Sequence, residues 1–218
     1  MSIQHKEIAA IREEYSKGYL LENDVLENPI FQFKKWFSEA ISAEVKEPNA
    51  MVLSTVNQFQ SPSSRVVLLK DIKDNGFSFF TNYESRKAED MLENPKVSLL
   101  FFWQELQRQV RIEGVVSKLP SSDSDEYFSS RPRGSRIGAI ASPQSQVIVN
   151  REELEAKVDL VTNEFSDLEI IPRPEFWGGY LVEPTLVEFW QGRSSRLHDR
   201  IVYELRDQAN WLIKRLAP

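Results

Sequence analysis

Cysteine is absent from this chain, which excludes disulfides, thiolate metal sites and cysteine nucleophiles. Histidine is scarce: His5 and His198 are the two present, too few for a histidine-rich centre, so no metal is expected. Basic excess is lacking too. A net charge of −6 over 218 residues argues against broad nucleic-acid binding, which needs a basic face. No segment approaches the length of a membrane span, and the polar N-terminus has no apolar core of a signal peptide. A soluble, cytoplasmic protein without membrane or nucleic-acid partners is the expectation. There is no Walker loop, no G-x-G-x-x-G after a strand, no Ser-His-Asp order and no paired-carboxylate context. Repeats, low-complexity tracts and long linkers are missing as well, so one domain over residues 1–218 is expected.

What is present describes a β-rich protein. An apolar fraction of 41% suffices for a core, and the abundant Trp, Tyr and Phe suit strands. Residues 3 to about 17 carry a thinly apolar helical pattern ending near Gly18. Asn28-Pro29 opens a strongly amphipathic helix with Ile30, Phe33, Trp36, Phe37 and Ala40 on its stripe. The helical segment 1–45 is expected to pack on the domain or close over its site. Strands follow at Ala50 to Val56, Ser64 to Lys70 and Phe77 to Thr81, with a hairpin signal at Asp74-Asn75-Gly76. Ser85 is placed to cap a helix over Arg86 to Leu92. Lys96 to Trp103 and Leu106 to Lys118 read as a long hairpin. Ser121 or Ser122 opens a helix to about Ser130, and Arg151 to Phe165 forms another. Phe176 to Val182, Leu186 to Gln191, Ile201 to Leu205 and Trp211 to Leu216 complete the strands. The meander lengths predict an antiparallel sheet, mainly β with helices (α+β).

Cations cluster in this acidic chain. Arg65 and Lys70 flank one strand; Arg86 and Lys87 sit in a helix first turn, where they oppose the macrodipole unless an anion is shared. Tyr127, Arg131 and Ser135 are spaced four and four, so a continuous helix stacks them as a cradle for a phosphate ester. Arg196, His198 and Arg200 alternate at period two, which on a strand puts all three on one face. The competing reading at each place is a solvated polar surface. Two anionic small ligands account for more of these clusters than one does.

The same residues carry a resemblance over nearly the full length. E-F-W-Q at Glu188 to Gln191, R-L-H-D-R at Arg196 to Arg200, R-V-V-L-L-K at Arg65 to Lys70 and F-T-N with S-R-K at Phe80 to Lys87 occur in order. R-Q-V at Arg108, S-R-P-R at Ser130, F-W-G-G at Phe176 and the terminal R-L-A-P join them. The chain resembles the pyridoxine/pyridoxamine 5′-phosphate oxidases. That resemblance implies an FMN-binding split barrel, an antiparallel Greek-key β-barrel with peripheral helices, and a homodimer with FMN between subunits. It implies oxidation of pyridoxine or pyridoxamine 5′-phosphate to pyridoxal 5′-phosphate, with oxygen as acceptor and hydrogen peroxide as product. Carried over by position, FMN is expected at Arg65, Val66, Val67, Leu68, Leu69, Lys70, Phe80, Thr81, Arg86, Lys87, Gln109, Gln144, Ser145, Trp190 and Arg200. Substrate is expected at Arg12, Glu13, Glu14, Tyr15, Lys70, Tyr127, Arg131, Ser135, Arg196, Leu197 and His198, with Arg196 and His198 orienting its ring and stabilising charge during catalysis. Phe80 stands where a tyrosine is common, Gly134 where a larger polar residue is common, and Arg193 adds a charge. Two alternatives stand beside this reading: another split-barrel flavoprotein such as a flavin reductase, and a non-catalytic flavin or pyridoxal phosphate carrier.

Overall fold

The computed structural model describes residues 10, 11, 13–207 and 210–218. Nine strands run through them: β1 (Ala50–Val56), β2 (Pro62–Leu68), β3 (Asp71–Lys73), β4 (Gly76–Asn82), β5 (Lys96–Trp103), β6 (Arg108–Lys118), β7 (Trp177–Gln191), β8 (Asp199–Asp207) and β9 (Asn210–Leu216). Five α-helices accompany them: α1 (Pro29–Ser42), α2 (Arg86–Glu93), α3 (Ser121–Ser130), α4 (Arg133–Ala141) and α5 (Arg151–Glu164). Among the described residues no helix is long and apolar enough to cross a membrane.

The chain forms two compact units. A mid-chain unit takes Asn49–Leu99 and Glu113–Thr185; a terminal unit takes Leu100–Ile112, Leu186–Pro218 and the described part of Met1–Pro48. Strands β5, β6 and β7 contribute residues to both. The mid-chain strands lie in the order β2-β1-β5-β6-β7-β4-β3, and in the terminal unit β8 pairs with β7 and β9 with β8. The ladders β1/β2, β3/β4, β4/β7, β7/β8 and β8/β9 are antiparallel, as the meander lengths predict.

In the mid-chain unit, β1 alternates as its sequence does: Met51, Leu53 and Thr55 are buried. The Asp74-Asn75 turn sets Lys73 opposite Gly76, the register of a two-residue hairpin. Phe77 and Phe79 of β4 are fully buried. The paired glycines after Trp177 have a steric reason, since a Cβ on Gly178 would collide with the Tyr83 hydroxyl. A smaller cluster of Phe128, Ile137, Ile171 and Trp177 seats α3 and α4.

In the terminal unit, α1 buries Ile30, Phe33, Trp36 and Ala40. The Phe33 ring lies 4.9 Å from Phe101, Trp36 lies 5.1 Å from Phe189, and Phe189 lies 5.6 Å from Tyr203. Each such burial contributes about 1.5–3 kcal/mol. The helix starts where the sequence predicts: Asn28 Oδ1 accepts the Ile30 N–H at 2.8 Å, and Pro29 takes the first turn.

Several expectations are corrected. Residues 1–9 and Arg12, which carry much of the predicted first helix, lie outside the described residues, and residues 13–18 are not helical. The Ser16 and Lys17 amides donate to Gln107 Oε1 (2.9 and 3.1 Å), so they are not used in a helix. Strand β2 ends at Leu68, not Lys70, because the Leu69 amide turns to Asn49 O and the Lys70 amide to Ser78 O. Ser85 occupies the N-cap of α2 but makes no cap bond; its hydroxyl donates to Asn82 O at 2.7 Å. Neither Ser121 nor Ser122 caps α3, whose N-cap is Pro120. The helix through Tyr127, Arg131 and Ser135 is broken, since Arg131 precedes Pro132 and adopts ψ 146°, the extended backbone a following proline favours. Phe176 to Val182 and Leu186 to Gln191 are not separate strands: β7 runs straight through Pro184. Arg196, His198 and Arg200 do not share a strand. Arg196 ends a 3-10 turn at φ 62°, and β8 begins only at Asp199.

Replacing Asn28 with Ala removes the α1 cap, and unfolding in urea is expected to show a loss of about 1 kcal/mol. Asn28→Asp, which keeps an acceptor, is expected to hold most of it.

Candidate active site

The mid-chain unit carries a cavity of about 730 Å³. Strand β2 offers Val66 and Leu68 to it, β4 offers Phe80 and Thr81, and α2 offers Lys87. The Lys87 ammonium donates to Gln144 Oε1 at 2.7 Å, Ser85 Oγ at 3.0 Å and Thr81 Oγ1 at 3.2 Å. Burial pushes its pKa down to about 8, and the neighbouring Arg65 charge adds to the shift. Burial also lowers the Arg65 guanidinium, with Asp90 opposing and Arg86 reinforcing the shift. Three cations therefore feel one another here, and Lys87 meets only neutral oxygens.

On another wall the Tyr127 ring stacks on Phe80 at 4.0 Å, and Phe80 stacks on Trp177 at 5.6 Å. The Arg131 guanidinium sits 4.7 Å over the Trp177 ring. Its Nη1 is buried with no hydrogen-bond partner, a costly state for a donor. Lys70 Nζ lies 5.9 Å from the Tyr127 ring centre. Although the helix is broken, Lys70, Tyr127, Arg131 and Ser135 all line this cavity, so the break redirects the chain without dispersing the group.

The terminal unit has its own cavity of about 700 Å³, lined by Glu13, Glu14, Tyr15, Arg193, Ser195, Arg196 and His198 among others. Tyr15 lies edge-on to Trp190 at 5.9 Å, and Trp190 lies 4.6 Å from His198. Gly192 allows this: a Cβ there would come within 2.7 Å of Tyr15 Cδ2. His198 Nδ1 accepts the Arg193 N–H at 3.1 Å, so the neutral ring carries its proton on Nε2. Burial and then Arg196 lower its pKa, with Asp199 opposing. Asp199 accepts from Leu20 N at 3.1 Å and from Arg215 Nη1 at 2.9 Å. Arg215 is bidentate to Glu22 (2.6 and 2.9 Å), which holds that carboxyl down to about 2.

The remaining expected residues are placed unevenly. Leu69 is buried, with its amide and carbonyl both turned to Asn49. Ser145 is exposed at φ 73°, and Leu197 is exposed. Gln109 is half-buried on β6. Arg200 is committed to a bidentate pair with the buried Glu188 (2.9 and 3.1 Å), which also accepts from Arg111. Sequence reasoning missed Gln107, whose left-handed backbone (φ 54°) and side chain tie residues 16 and 17 to Gly192. No local signal marks it. It also missed Thr55 and Asp90, a hydroxyl and a carboxylate buried beside Arg65.

The structure thus sets partly buried, carboxylate-poor cation clusters in an antiparallel α+β fold, and comparison with known proteins identifies the class. The family model for pyridoxamine 5′-phosphate oxidase matches residues 37–164, and that for the pyridoxine 5′-phosphate oxidase C-terminal dimerisation region matches residues 177–218. The pyridoxine/pyridoxamine 5′-phosphate oxidase of Salinibacter ruber is 53% identical over 212 residues, covering 97% of this chain and 99% of the relative. The crystal structure of PhzG from Burkholderia lata 383, in complex with tetrahydrophenazine-1-carboxylic acid, superposes with a TM-score of 0.85 at 34% identity, covering 91% of this chain and 98% of that one. A pyridoxamine 5′-phosphate oxidase-related, FMN binding protein from Nostoc punctiforme shares the fold, with a TM-score of 0.69 at 16% identity, over 85% of this chain and 97% of that one. The chain belongs to the pyridoxamine 5′-phosphate oxidase family. The dimerisation-region match supports a homodimer. FMN is the family's cofactor, and the residues present fit it: the depressed Lys87, held by neutral oxygens beside Arg65, is what an anionic ligand relieves.

Because the folded-state pKa of His198 lies below its ordinary 6.5, the unfolded chain takes up the proton first. The stabilisation from the neutral ring is complete above that ordinary value and is lost as pH falls toward the folded value. Thermal melts between about pH 5 and 8 are expected to show His198→Gln losing less stability on acidification than the unmodified protein.

Proposed function

We infer that this chain oxidises pyridoxine 5′-phosphate and pyridoxamine 5′-phosphate to pyridoxal 5′-phosphate, with FMN as cofactor, molecular oxygen as final electron acceptor and hydrogen peroxide as product. The observation that carries this is the 53% identity, over almost the whole of both chains, to an enzyme named for those substrates. When bound, FMN supplies the two-electron acceptor for the substrate carbon that becomes the aldehyde. This chain's residues bind, orient and shield. Arg65, Arg86 and Lys87 hold the flavin phosphate and ribityl end, with Thr81, Gln144 and Ser145 beside them and the β2 run Val66 to Leu68 along the flavin. Lys70, Tyr127, Arg131 and Ser135 hold the substrate phosphate; the unpartnered Arg131 donor supports this. Arg196 and His198 face the substrate ring, and the Nε2 proton of His198 is a donor to it, a role favoured by the Arg193 bond at Nδ1. Tyr15 packs against His198 at 5.9 Å, which supports a part for Glu13 to Tyr15 in covering the substrate. Arg12 belongs to the same expected segment but lies outside the described residues.

The flavin sits between subunits on this reading. Its support is that Trp190 and Arg200, both expected at the flavin, fall within the matched dimerisation region, residues 177–218. Lys70, Tyr127, Arg131 and Ser135 make a second phosphate cradle besides the Arg65, Arg86 and Lys87 group, which a flavin reductase does not need.

The deciding experiment is an aerobic assay of the purified protein with FMN and each phosphorylated vitamer, reading pyridoxal phosphate absorbance and hydrogen peroxide together. Equal formation of both is expected; flavin binding without turnover would leave a carrier. Arg131→Ala is expected to raise KM for pyridoxine 5′-phosphate by about 10–100-fold with a smaller change in kcat, as the loss of a charged hydrogen bond does. FMN affinity, read by quenching of flavin fluorescence, is expected to fall as pH rises through about 8, because binding must then recharge Lys87. Riboflavin, which lacks the phosphate, is expected to show no such slope.

A further inference from the structure

We propose that Thr55 and Asp90 are positioning residues for the phosphate end of the flavin, acting through Arg65. The proposal rests on the reading above that Arg65, Arg86 and Lys87 hold that phosphate, and it concerns two residues to which no role attaches so far. Thr55 lies on β1 and is fully buried; Asp90 lies on α2 and is 4% exposed. A buried carboxylate is costly unless it is paired and hydrogen-bonded. Asp90 Oδ2 accepts the Thr55 hydroxyl at 2.6 Å and lies 3.8 Å from Arg65 Nη2. The Thr55 oxygen in turn accepts Arg65 Nη1 at 2.7 Å.

The direction of this relay is fixed by its chemistry. A hydroxyl has one proton; with that proton on Asp90, its lone pairs are left facing Arg65. Threonine is stiff about χ1, so its oxygen is a fixed post rather than a swinging one. Further bonds, from Nη1 to Leu53 O at 3.2 Å and from Nη2 to Ser63 Oγ at 2.9 Å, complete the hold on the guanidinium.

The need for such a hold is electrostatic. Arg86 disfavours the Arg65 charge and Arg65 disfavours that of Lys87, while Asp90 is the acid that opposes this repulsion. An arginine 20% exposed at its side chain has solvent to escape into when no anion is bound. Thr55 and Asp90 prevent that escape, so the three cations stay assembled before the phosphate arrives. Pre-assembly of this kind raises affinity by removing an ordering cost from the binding step.

The test is titration of FMN and of riboflavin into full-length protein stripped of flavin, read by fluorescence quenching. The unmodified protein is expected to prefer FMN. Thr55→Val changes no charge and is expected to lose about 10-fold or more in FMN affinity while riboflavin affinity stays within about 2-fold. Thr55→Ser, which restores the hydroxyl, is expected to recover the preference. Where the valine methyl against Asp90 prevents folding, Thr55→Ala gives the same comparison. Equal weakening of both ligands would make the relay a purely structural contact and overturn the proposal, as would a Thr55→Val protein with undiminished preference. An unmodified protein that binds both flavins equally would instead remove the phosphate assignment of Arg65, on which the proposal stands.

Discussion

Cations collected without an equal number of acids repel one another, and the mid-chain unit is arranged around containing that repulsion. Lys87 titrates near 8 because burial and Arg65 both disfavour its charge. What keeps it in place is a set of neutral oxygens from Thr81, Ser85 and Gln144, drawn from β4, the α2 cap and the loop after α4. Neutral acceptors satisfy the ammonium without cancelling its charge, so the field remains available to an anion. Asp90 is the exception, and it is kept behind Arg65 through the Thr55 hydroxyl.

The terminal unit solves a different problem with the opposite device. Ser195 and Arg196 both adopt left-handed backbone conformations, which cost non-glycine residues about 1–3 kcal/mol each. Charge pairs surround that turn. Arg215 joins Glu22 and Asp199, and Asp199 also takes the Leu20 amide and Arg193. Gln107 fastens residues 16 and 17 from the other direction. Between these anchors Tyr15, Trp190 and His198 pack as an aromatic group, and the Arg193 amide selects which nitrogen of His198 holds the proton. The bond at Nδ1 leaves the Nε2 proton of His198 in a fixed direction.

Two departures from the family pattern have physical accounts here. Phe80 loses the hydroxyl of the more common tyrosine, yet its ring packs against both Tyr127 and Trp177, so packing is its part. Arg193 adds a charge, but its amide to His198 and its side chain to Asp199 give it two positions in the turn. The third departure, Gly134, has open space where a Cβ would stand, and nothing in the structure explains it.

Much was legible in the chain itself. Alternation in β1, the Asp74-Asn75 turn, the Asn28 cap and the α1 stripe are local properties, set by residues within a few positions of one another. The cation clusters were legible too, because charge excess needs no geometry to be noticed, and the ordered motifs placed the chain in its family. The Tyr127, Arg131 and Ser135 group was read from helical spacing that the fold does not keep; the side chains nonetheless line one cavity. Partnership between residues far apart was decided by tertiary structure alone. Gln107 meets residues 16 and 17 across about ninety positions, Thr55 meets Asp90 across thirty-five, and Arg200 pairs with Glu188 on the neighbouring strand. A hydrogen bond depends on distance and angle in space, and neither is written in the local pattern. The chain determines which groups are available; folding decides which of them meet.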